Sequence, residues 1–243
     1  WANGASPAAV ALAVAIGATI GAGILRMPGE VAAHLPSKGF FLAAWILGGI
    51  NALLGATVFA ELGAMMPRSG GLYNFARRAF GDYGGFLVGY SDWLNQTVSV
   101  SLLALVVGEY SRGLWPGLEG EASHLGLFIL LAIAAVQWTG IRSGSRIQEL
   151  TTLLKTAALL GLIVSCFLSN PHRVISQPQA AAVPSGLSLV FAFILAMQAI
   201  LFAYDSYFYV VYYGEELRNP GKEIPRSMFM SVCLIIFIYV LIN

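Results

Sequence analysis

Long apolar runs alternate with short polar stretches along almost the whole chain. A run of about 20 apolar residues is long enough to cross the hydrocarbon core of a bilayer as a helix. The pattern predicts about seven such spans. We place them at residues 7–34, 40–66, 83–112, 124–140, 147–169, 187–215 and 226–243. The polar stretches between them are rich in Gly, Pro, Arg and Ser, which end one helix and start the next. The sequence therefore predicts an all-α membrane protein.

Composition agrees with that class. Hydrophobic residues make up 58% of the chain and charged residues 10%, and the mean hydropathy is +0.75. A single soluble core does not bury so large an apolar fraction. We therefore expect residues 1–243 to form one transmembrane domain. Position 1 is not Met and the last apolar run is unfinished at Asn243, so we also expect an N-terminal portion of a longer protein.

The residue types present argue against several partners and cofactors. The two cysteines, Cys166 and Cys233, each lie inside an apolar run, which is not the spacing of a disulfide framework or a metal cluster. A net charge of +1 gives no basic surface for a nucleic acid. We therefore predict no metal, no cofactor and no nucleic-acid partner, with the lipid bilayer as the surrounding medium.

Lysine and arginine predict the orientation of the spans. The loops after the second, fourth and sixth spans hold Arg68, Arg77, Arg78, Arg142, Arg146, Arg218, Lys222 and Arg226. The loops predicted on the opposite side of the membrane hold only Arg26, Lys38, Arg112 and Arg173. Because cytoplasmic loops carry the excess of positive charge, we predict a multi-pass protein of the cell (inner) membrane with its N-terminus in the cytoplasm.

Three glycines interrupt the first span, in the stretch "AIGATIGAGIL" at residues 15–25. A helix in hydrocarbon is broken only where the freed backbone groups meet protein, water or a ligand. Gly21 and Gly23 lower the cost of such a break, and an anion would be favoured at the N–H groups that start the outer half-helix. The alternative is close helix packing through Gly17 and Gly21, which form a G-x-x-x-G pair. The glycines alone leave both interpretations open.

The sixth span carries an acidic residue near its middle, Asp205. A charge at that depth costs at least about 2.5 kcal/mol if it faces lipid, so Asp205 is expected to face protein or water. Asp205 and Ser206 also suit an N-cap, so a second helical fragment is expected to begin there after an unwound "FAY" segment. An unbroken helix with Asp205 buried against a polar partner is the alternative. Two interrupted helices are typical of secondary transporters with a midplane site.

Five stretches resemble motifs of one family. They are "GATIGAGIL", "AELGAMMPRSGGLYNFARRAFG", "IQELTTLLK", "FAYDSY" and "EELRNPGKEIPRSM". In this order they resemble successive motifs of the amino acid, polyamine and organocation transporter superfamily. Within that superfamily the resemblance is greatest to the prokaryotic amino acid permeases. The resemblance implies a LeuT-like fold of five plus five helices in inverted repeat, with helices one and six broken. This chain would then hold the first repeat, residues 7–169, and the start of the second, residues 187–243.

The resemblance also implies a function and a binding site. Such permeases carry amino acids across the membrane by alternating access, either coupled to protons or by exchange. They hold the substrate carboxylate on N–H groups at the break in the first helix. They hold the substrate amino group on carbonyls at the break in the sixth helix. The implied substrate-binding residues are Ile20, Gly21, Ala22, Gly23, Ile24, Phe202, Ala203, Tyr204 and Asp205. Ser99 in the third span is a further candidate pocket residue. The family often has Gly at the position of Ser206, which bears on how readily the sixth helix unwinds.

Lys155 is the candidate for proton coupling. It lies about eight residues, or roughly 12 Å, into the fifth span, which is deep for a side chain that merely reaches for the interface. A buried ammonium readily gives up its proton. By resemblance to proton-coupled permeases, Lys155 would reach the backbone of Gly17 or Ile20 and take the place of a sodium ion. A permanently charged tether between the first and fifth helices is the alternative.

Two carboxylates at cytoplasmic helix ends, Glu61 and Glu215, are candidate gating residues. Ion pairs with nearby arginines would close the inner side. Exposed pairs of this kind contribute less than about 1 kcal/mol, so solvated helix ends are the alternative.

The same residues bear on other functions and partners. A polyamine or cationic-amine transporter of the same fold is the main alternative, which Asp205 leaves open. An intramembrane enzyme needs paired aspartates, or a nucleophile with its base, at one depth, and none is evident, so we predict no enzyme. A channel would favour a continuous polar pore. Heteromeric animal exchangers bond a subunit through a cysteine after helix three, and residues 109–124 contain none, so no disulfide-linked subunit is expected.

Overall fold

A computed structural model describes residues 15–114, 122–138, 141–168 and 184–243. Every regular element in these ranges is a helix, beginning with α1 at residues 15–19. The others are α2 Ala22–His34, α3 Lys38–Met65, α4 Leu72–Leu114, α5 Ala122–Trp138, α6 Ile141–Leu168, α7 Leu187–Tyr204, a 3₁₀ helix Tyr207–Glu216 and α8 Pro220–Ile242. The predicted all-α class is confirmed. Residues 7–14, 139–140 and 169 of the predicted spans lie outside the described residues.

Among the described residues, three helical stretches are long and apolar enough to cross a membrane. They are Lys38–Met65, Leu187–Glu215 and Pro220–Ile242, with mean hydropathies of 1.8, 2.2 and 2.0. Shorter apolar helices lie at His124–Val136 and Leu150–Ser165. The helices therefore agree with a multi-pass membrane protein, as the apolar runs predict.

The first predicted break is present between α1 and α2. The N–H of Ile20 donates to the carbonyl of Ile16 at 2.8 Å, which closes the last turn of α1. Gly21 is then extended, with φ −146° and ψ −153°, and α2 starts at Ala22. Two half-helices therefore replace one continuous first span.

The second predicted break lies slightly later than expected. Residues 202–204, the "FAY" segment, are helical, so the expectation that they are unwound is wrong. Ala203 and Tyr204 are each only 2% exposed, and this packing holds α7 in helical form to its end. The chain departs from the helix at Asp205 (φ −60°, ψ 166°) and Ser206 (φ 78°). It continues as a 3₁₀ helix, which Ser206 precedes without a side-chain cap hydrogen bond.

By its internal contacts the chain forms two compact units, Trp1–Gly71 with Thr151–Asn243, and Leu72–Leu150. In the first unit α3 packs against α7, α8 and the 3₁₀ helix, and α2 packs against α7. The buried face of α3 is made mainly of small residues, namely Ala44, Gly48, Gly49, Ala52, Ala56, Ala60 and Gly63. A Cβ added to Gly48 would collide with the side chain of Ile200. A Cβ added to Gly63 would lie 3.0 Å from the side chain of Val211. Small residues thus let the sixth-span helices approach the α3 backbone closely.

The second unit is built on an elbow in α4. Gly81 has φ 78° and ψ −175°, a conformation that favours glycine. The elbow brings the two arms of α4 together, so that a Cβ at Gly89 would lie 3.0 Å from the ring of Tyr73. Arg77 and Asp82 form an ion pair of 2.5 Å across the elbow. The longer part of α4, which follows Gly81, packs against α5.

Candidate functional site at the two helix breaks

The carbonyls at the end of α1 are capped by side chains from other helices. A break removes the N–H groups that a continuing helix would donate to the last turn. The Lys155 ammonium on α6 donates to the carbonyl of Gly17 at 2.8 Å. The Tyr239 hydroxyl on α8 lies 3.0 Å from the carbonyl of Thr19, within hydrogen-bond distance. A cation at this end is also favoured by the helix dipole.

The end of α7 is capped in a similar way. The carbonyl oxygen of Ala203 lies 2.9 Å from the Tyr239 hydroxyl, whose single hydrogen is donated either to this carbonyl or to that of Thr19. The carbonyl of Phe202 accepts a longer bond, of 3.4 Å, from the N–H of Asp205. Tyr239 therefore contacts the carbonyl ends of both interrupted helices.

A buried aromatic cluster supports this contact. The cluster consists of Trp45, Tyr204 and Tyr239, which are 0%, 2% and 0% exposed. The Tyr239 ring lies 5.0 Å from the ring of Tyr204 and packs edge-on against Trp45 at 5.7 Å. The Tyr204 hydroxyl donates to the Trp45 carbonyl at 3.3 Å. Packing on two sides fixes the position of the Tyr239 hydroxyl.

The start of α2 offers N–H groups without a local cap. The N-cap residue is Gly21, which has no side chain that could accept a hydrogen bond from these N–H groups. The first turn of α2 also carries no acidic residue. A Cβ added to Gly21 would meet none of the residues that the structure describes within 4 Å, so among these residues open space lies beside the backbone there. The alternative in which Gly21 packs against a neighbouring helix is therefore wrong. Of Ala22, the next residue, the backbone alone is described.

Gly23 has the opposite surroundings. A Cβ at this position would lie 3.2 Å from the Cα of Ala203, so the backbones of α2 and α7 approach each other closely. The start of α2, where the helix dipole is positive, thus lies beside the end of α7, where it is negative. Ammonium and carboxylate groups on one small molecule would match this pair of helix ends.

The remaining predicted site residues differ in exposure. Ile20 and Ile24 are buried, at 2% each, beside the first break. Phe202 is 54% exposed, and Asp205 is exposed as well. The alternative of an unbroken helix with a buried Asp205 is therefore wrong. Ser99 is half-buried on α4 in the second compact unit, and its pocket role stays a prediction.

The candidate gating carboxylates lie at the surface. Glu61 is exposed near the end of α3, and Glu215 is exposed in the 3₁₀ helix. Neither carboxylate forms an ion pair within the described part of the chain. The gating role of Glu61 and Glu215 stays a prediction.

Tyr239 is the residue of this site that sequence reasoning missed. It lies inside the last apolar run, "LIIFIYVLIN", where no motif singles it out. The available signal was chemical, because a tyrosine hydroxyl within an apolar helix needs a hydrogen-bond partner. Which carbonyls it meets depends on the packing of α8, and the sequence does not contain that information locally.

Comparison with known proteins agrees with the geometry. The family described as "Amino acid permease" matches residues 10–243. The chain is 32% identical over 234 residues to the serine/threonine exchanger SteT of Bacillus subtilis, covering 96% of this chain and 52% of that protein. It is 30% identical over 250 residues to the human large neutral amino acids transporter small subunit 2, covering 96% and 45%. It is 31% identical over 244 residues to the mouse Asc-type amino acid transporter 1, covering 96% and 45%.

The chain thus spans about half the length of the curated relatives it matches. The match runs through both helix breaks and through Lys155. Together with the all-helical fold, it shows that this chain belongs to the amino acid permease family.

Proposed function

We propose that the protein is a secondary active transporter that carries amino acids across a membrane by alternating access. The observation that carries this proposal is the close approach of the two half-helix ends at Gly23 and Ala203, where a Cβ added to Gly23 would lie 3.2 Å from the Ala203 Cα. Uncapped N–H groups suit a carboxylate and freed carbonyls suit an ammonium. Such main-chain recognition is common to all amino acids, while side chains around the site select among them.

The relatives support an amino acid as the substrate. Their names describe a serine/threonine exchanger, a transporter of large neutral amino acids and an Asc-type amino acid transporter. These names favour amino acids over the polyamine alternative, and a carrier over an enzyme or a channel. They also favour exchange as one mode of action.

Lys155 is proposed as the coupling residue. Its ammonium lies 2.8 Å from the Gly17 carbonyl, so its charge acts directly on the end of α1. Loss of its proton would weaken this contact and release the half-helix, which provides a route for a proton to influence the conformation. A constant structural tether predicts the same contact, so the two roles differ only in their pH dependence.

The proposed location is the cell (inner) membrane, with the N-terminus in the cytoplasm. The excess of Lys and Arg in alternate loops supports this orientation.

Transport by the full-length protein in proteoliposomes tests the function. We expect saturable uptake of at least one amino acid, stimulated by the same amino acid inside the vesicle. Putrescine and spermidine serve as controls for the polyamine alternative. Uptake that is linear with concentration, without counter-flow stimulation, would favour a channel and contradict the proposal.

A further inference from the structure

A buried hydroxyl group on α6 has no partner among the residues that the structure describes. It belongs to Thr152, whose side-chain oxygen is shielded from solvent and forms no hydrogen bond with these residues. Thr19, Thr97 and Thr156 each donate to the carbonyl four residues earlier, at 2.8 Å. Thr152 does not use this local bond. Because a buried polar group without a partner is unfavourable, this hydroxyl calls for a partner in another state of the protein.

Thr152 lies three residues before Lys155 on the same helix. Residues with this spacing are neighbours on one helix face. A long side chain on a helix also leans back toward the N-terminus, over the positions three and four residues earlier. The Lys155 ammonium donates to the Gly17 carbonyl at 2.8 Å. A hydroxyl without a partner therefore lies beside the group that we propose for coupling.

The two protonation states of Lys155 differ in what they can accept from this hydroxyl. An ammonium has three N–H donors and no lone pair, so it accepts no hydrogen bond. A neutral amine has two N–H donors and one lone pair, so it can accept one. The Gly17 contact is the one that the charged form favours, because a cation stabilises the carbonyl end of a helix. The Thr152 hydrogen therefore gains an acceptor when Lys155 loses its proton.

Few other titratable groups act on Lys155. Residues 15–19 of α1, which Lys155 contacts, carry no titratable side chain, and Lys155 is the titratable residue within 150–165 of α6. On α8 the Tyr239 hydroxyl lies against the carbonyl of Thr19. Within the described part of the chain no charged side chain acts on the Lys155 ammonium. A neighbouring hydroxyl is therefore well placed to shift the balance between the two forms of Lys155.

We propose that Thr152 is a positioning residue that holds the neutral amine of Lys155 by donating its hydroxyl hydrogen to the amine nitrogen. This inference rests on the proposed function, in particular on the coupling role of Lys155. The ammonium gives its proton to water, the Gly17 carbonyl loses its charged donor, and the amine turns to accept from Thr152. Thr152 keeps its own hydrogen throughout. It thereby stabilises the form of Lys155 that releases the first half-helix.

The pH dependence of uptake tests this role. Thr152→Val keeps the shape of the side chain and removes the hydroxyl. Because the neutral amine then lacks its donor, Lys155 should lose its proton only at higher pH. For the full-length protein in proteoliposomes, we expect the midpoint of the pH profile of amino acid uptake to rise by about 0.5–1 pH unit, the effect of one hydrogen bond. Thr152→Ser keeps a hydroxyl and should retain the wild-type midpoint.

The matched control is Thr156→Val. Thr156 is a half-buried threonine on the same helix, and its hydroxyl already donates to the Thr152 carbonyl at 2.8 Å. Its loss should leave the midpoint unchanged. If Thr152 had a purely structural role, Thr152→Val would lower the maximal rate or the melting temperature without moving the midpoint.

A second variant keeps the test decisive if Thr152→Val does not fold. Thr152→Ala also removes the hydroxyl and should raise the midpoint in the same way. An unchanged midpoint in whichever variant folds would overturn the role of Thr152 while leaving the proposed transport standing. Wild-type uptake that does not depend on pH would overturn the coupling role of Lys155 and this role with it. A folded wild type that transports no amino acid would overturn the proposed function itself.

Discussion

Gly21 and Gly23 lie two residues apart but have different surroundings, and these surroundings explain why both are glycine. Gly21 borders open space, whereas Gly23 lies against the Cα of Ala203. Absence of a side chain therefore leaves room for a ligand at the first position and for a helix at the second. Their substitutions should separate binding from stability.

We predict that Gly21→Ala lowers substrate affinity, whereas Gly23→Ala lowers the stability of the protein. The first places a methyl group in the open space without touching its neighbours, so it should lower substrate affinity at least about tenfold, or by ~1.4 kcal/mol, with little change in melting temperature. The second crowds Ala203 and should destabilise the protein by about 1–3 kcal/mol. Substrate binding and thermal unfolding of the full-length variants in detergent measure both effects. A Gly21→Ala protein with unchanged affinity would contradict the assignment of this space to the substrate.

Lys155 is the residue at which coupling and tethering make different predictions. Lys155→Ala leaves the Gly17 carbonyl without its donor, a loss of about 1–3 kcal/mol, and should reduce transport at least tenfold. Lys155→Arg keeps a donor whose charge is permanent. If Lys155 couples protons, this variant should bind substrate but lose the pH dependence of uptake.

Uptake from pH 5 to pH 8 measures this difference. The exposed Lys222 at the start of α8 supplies the control, since Lys222→Ala should leave the profile unchanged. A Lys155→Ala protein with normal rate and normal pH dependence would exclude the coupling role.

At the scale of elements, α3 provides a face of small residues for the sixth span. A Cβ added to Gly55 would collide with the hydroxyl of Tyr207, and the next atom, Cζ, would lie 3.1 Å away. The 3₁₀ helix that follows the second break is thus fitted closely to the α3 backbone.

This fit predicts a compensating pair of substitutions. Gly55→Ala alone should destabilise the protein by about 1–3 kcal/mol, because a packed interface does not yield easily. Adding Tyr207→Phe removes the colliding oxygen and should recover most of the loss. Melting temperatures of the single and double variants measure the coupling between the two positions. Additive losses would show that Gly55 does not face Tyr207.

The elements show what sequence reasoning captures and what it misses. Both breaks were predictable because glycine pairs and a mid-span aspartate are costly in a lipid-facing helix. The exact end of α7 was not predictable, since burial of Ala203 and Tyr204 by distant residues keeps the "FAY" segment helical. The contact of Lys155 with Gly17 follows the family resemblance, whereas Tyr239 emerges only from the packing of α8.

At the scale of the whole molecule, the predicted division into a first repeat at 7–169 and the start of a second at 187–243 stays a prediction, as does the orientation. We expect the loops that contain Arg68 and Lys222 to face the cytoplasm. Single cysteines at Ser69 and Gly221, in a protein with Cys166 and Cys233 replaced by alanine, should react with an impermeant maleimide only after the membrane is opened. A cysteine at Ser37 should react in intact cells. The reverse pattern would invert the topology.

The central claim is that the main chain of two broken helices binds both charged ends of an amino acid. Competition for uptake by the full-length protein tests it most directly, using the best-transported amino acid, its amide without the carboxylate and its deaminated acid without the amino group. Because charge-assisted hydrogen bonds contribute about 1.5–3 kcal/mol each, both analogues should compete at least about 100-fold more weakly than the parent. An analogue that lacks either group but competes within about threefold of the parent would contradict the claim.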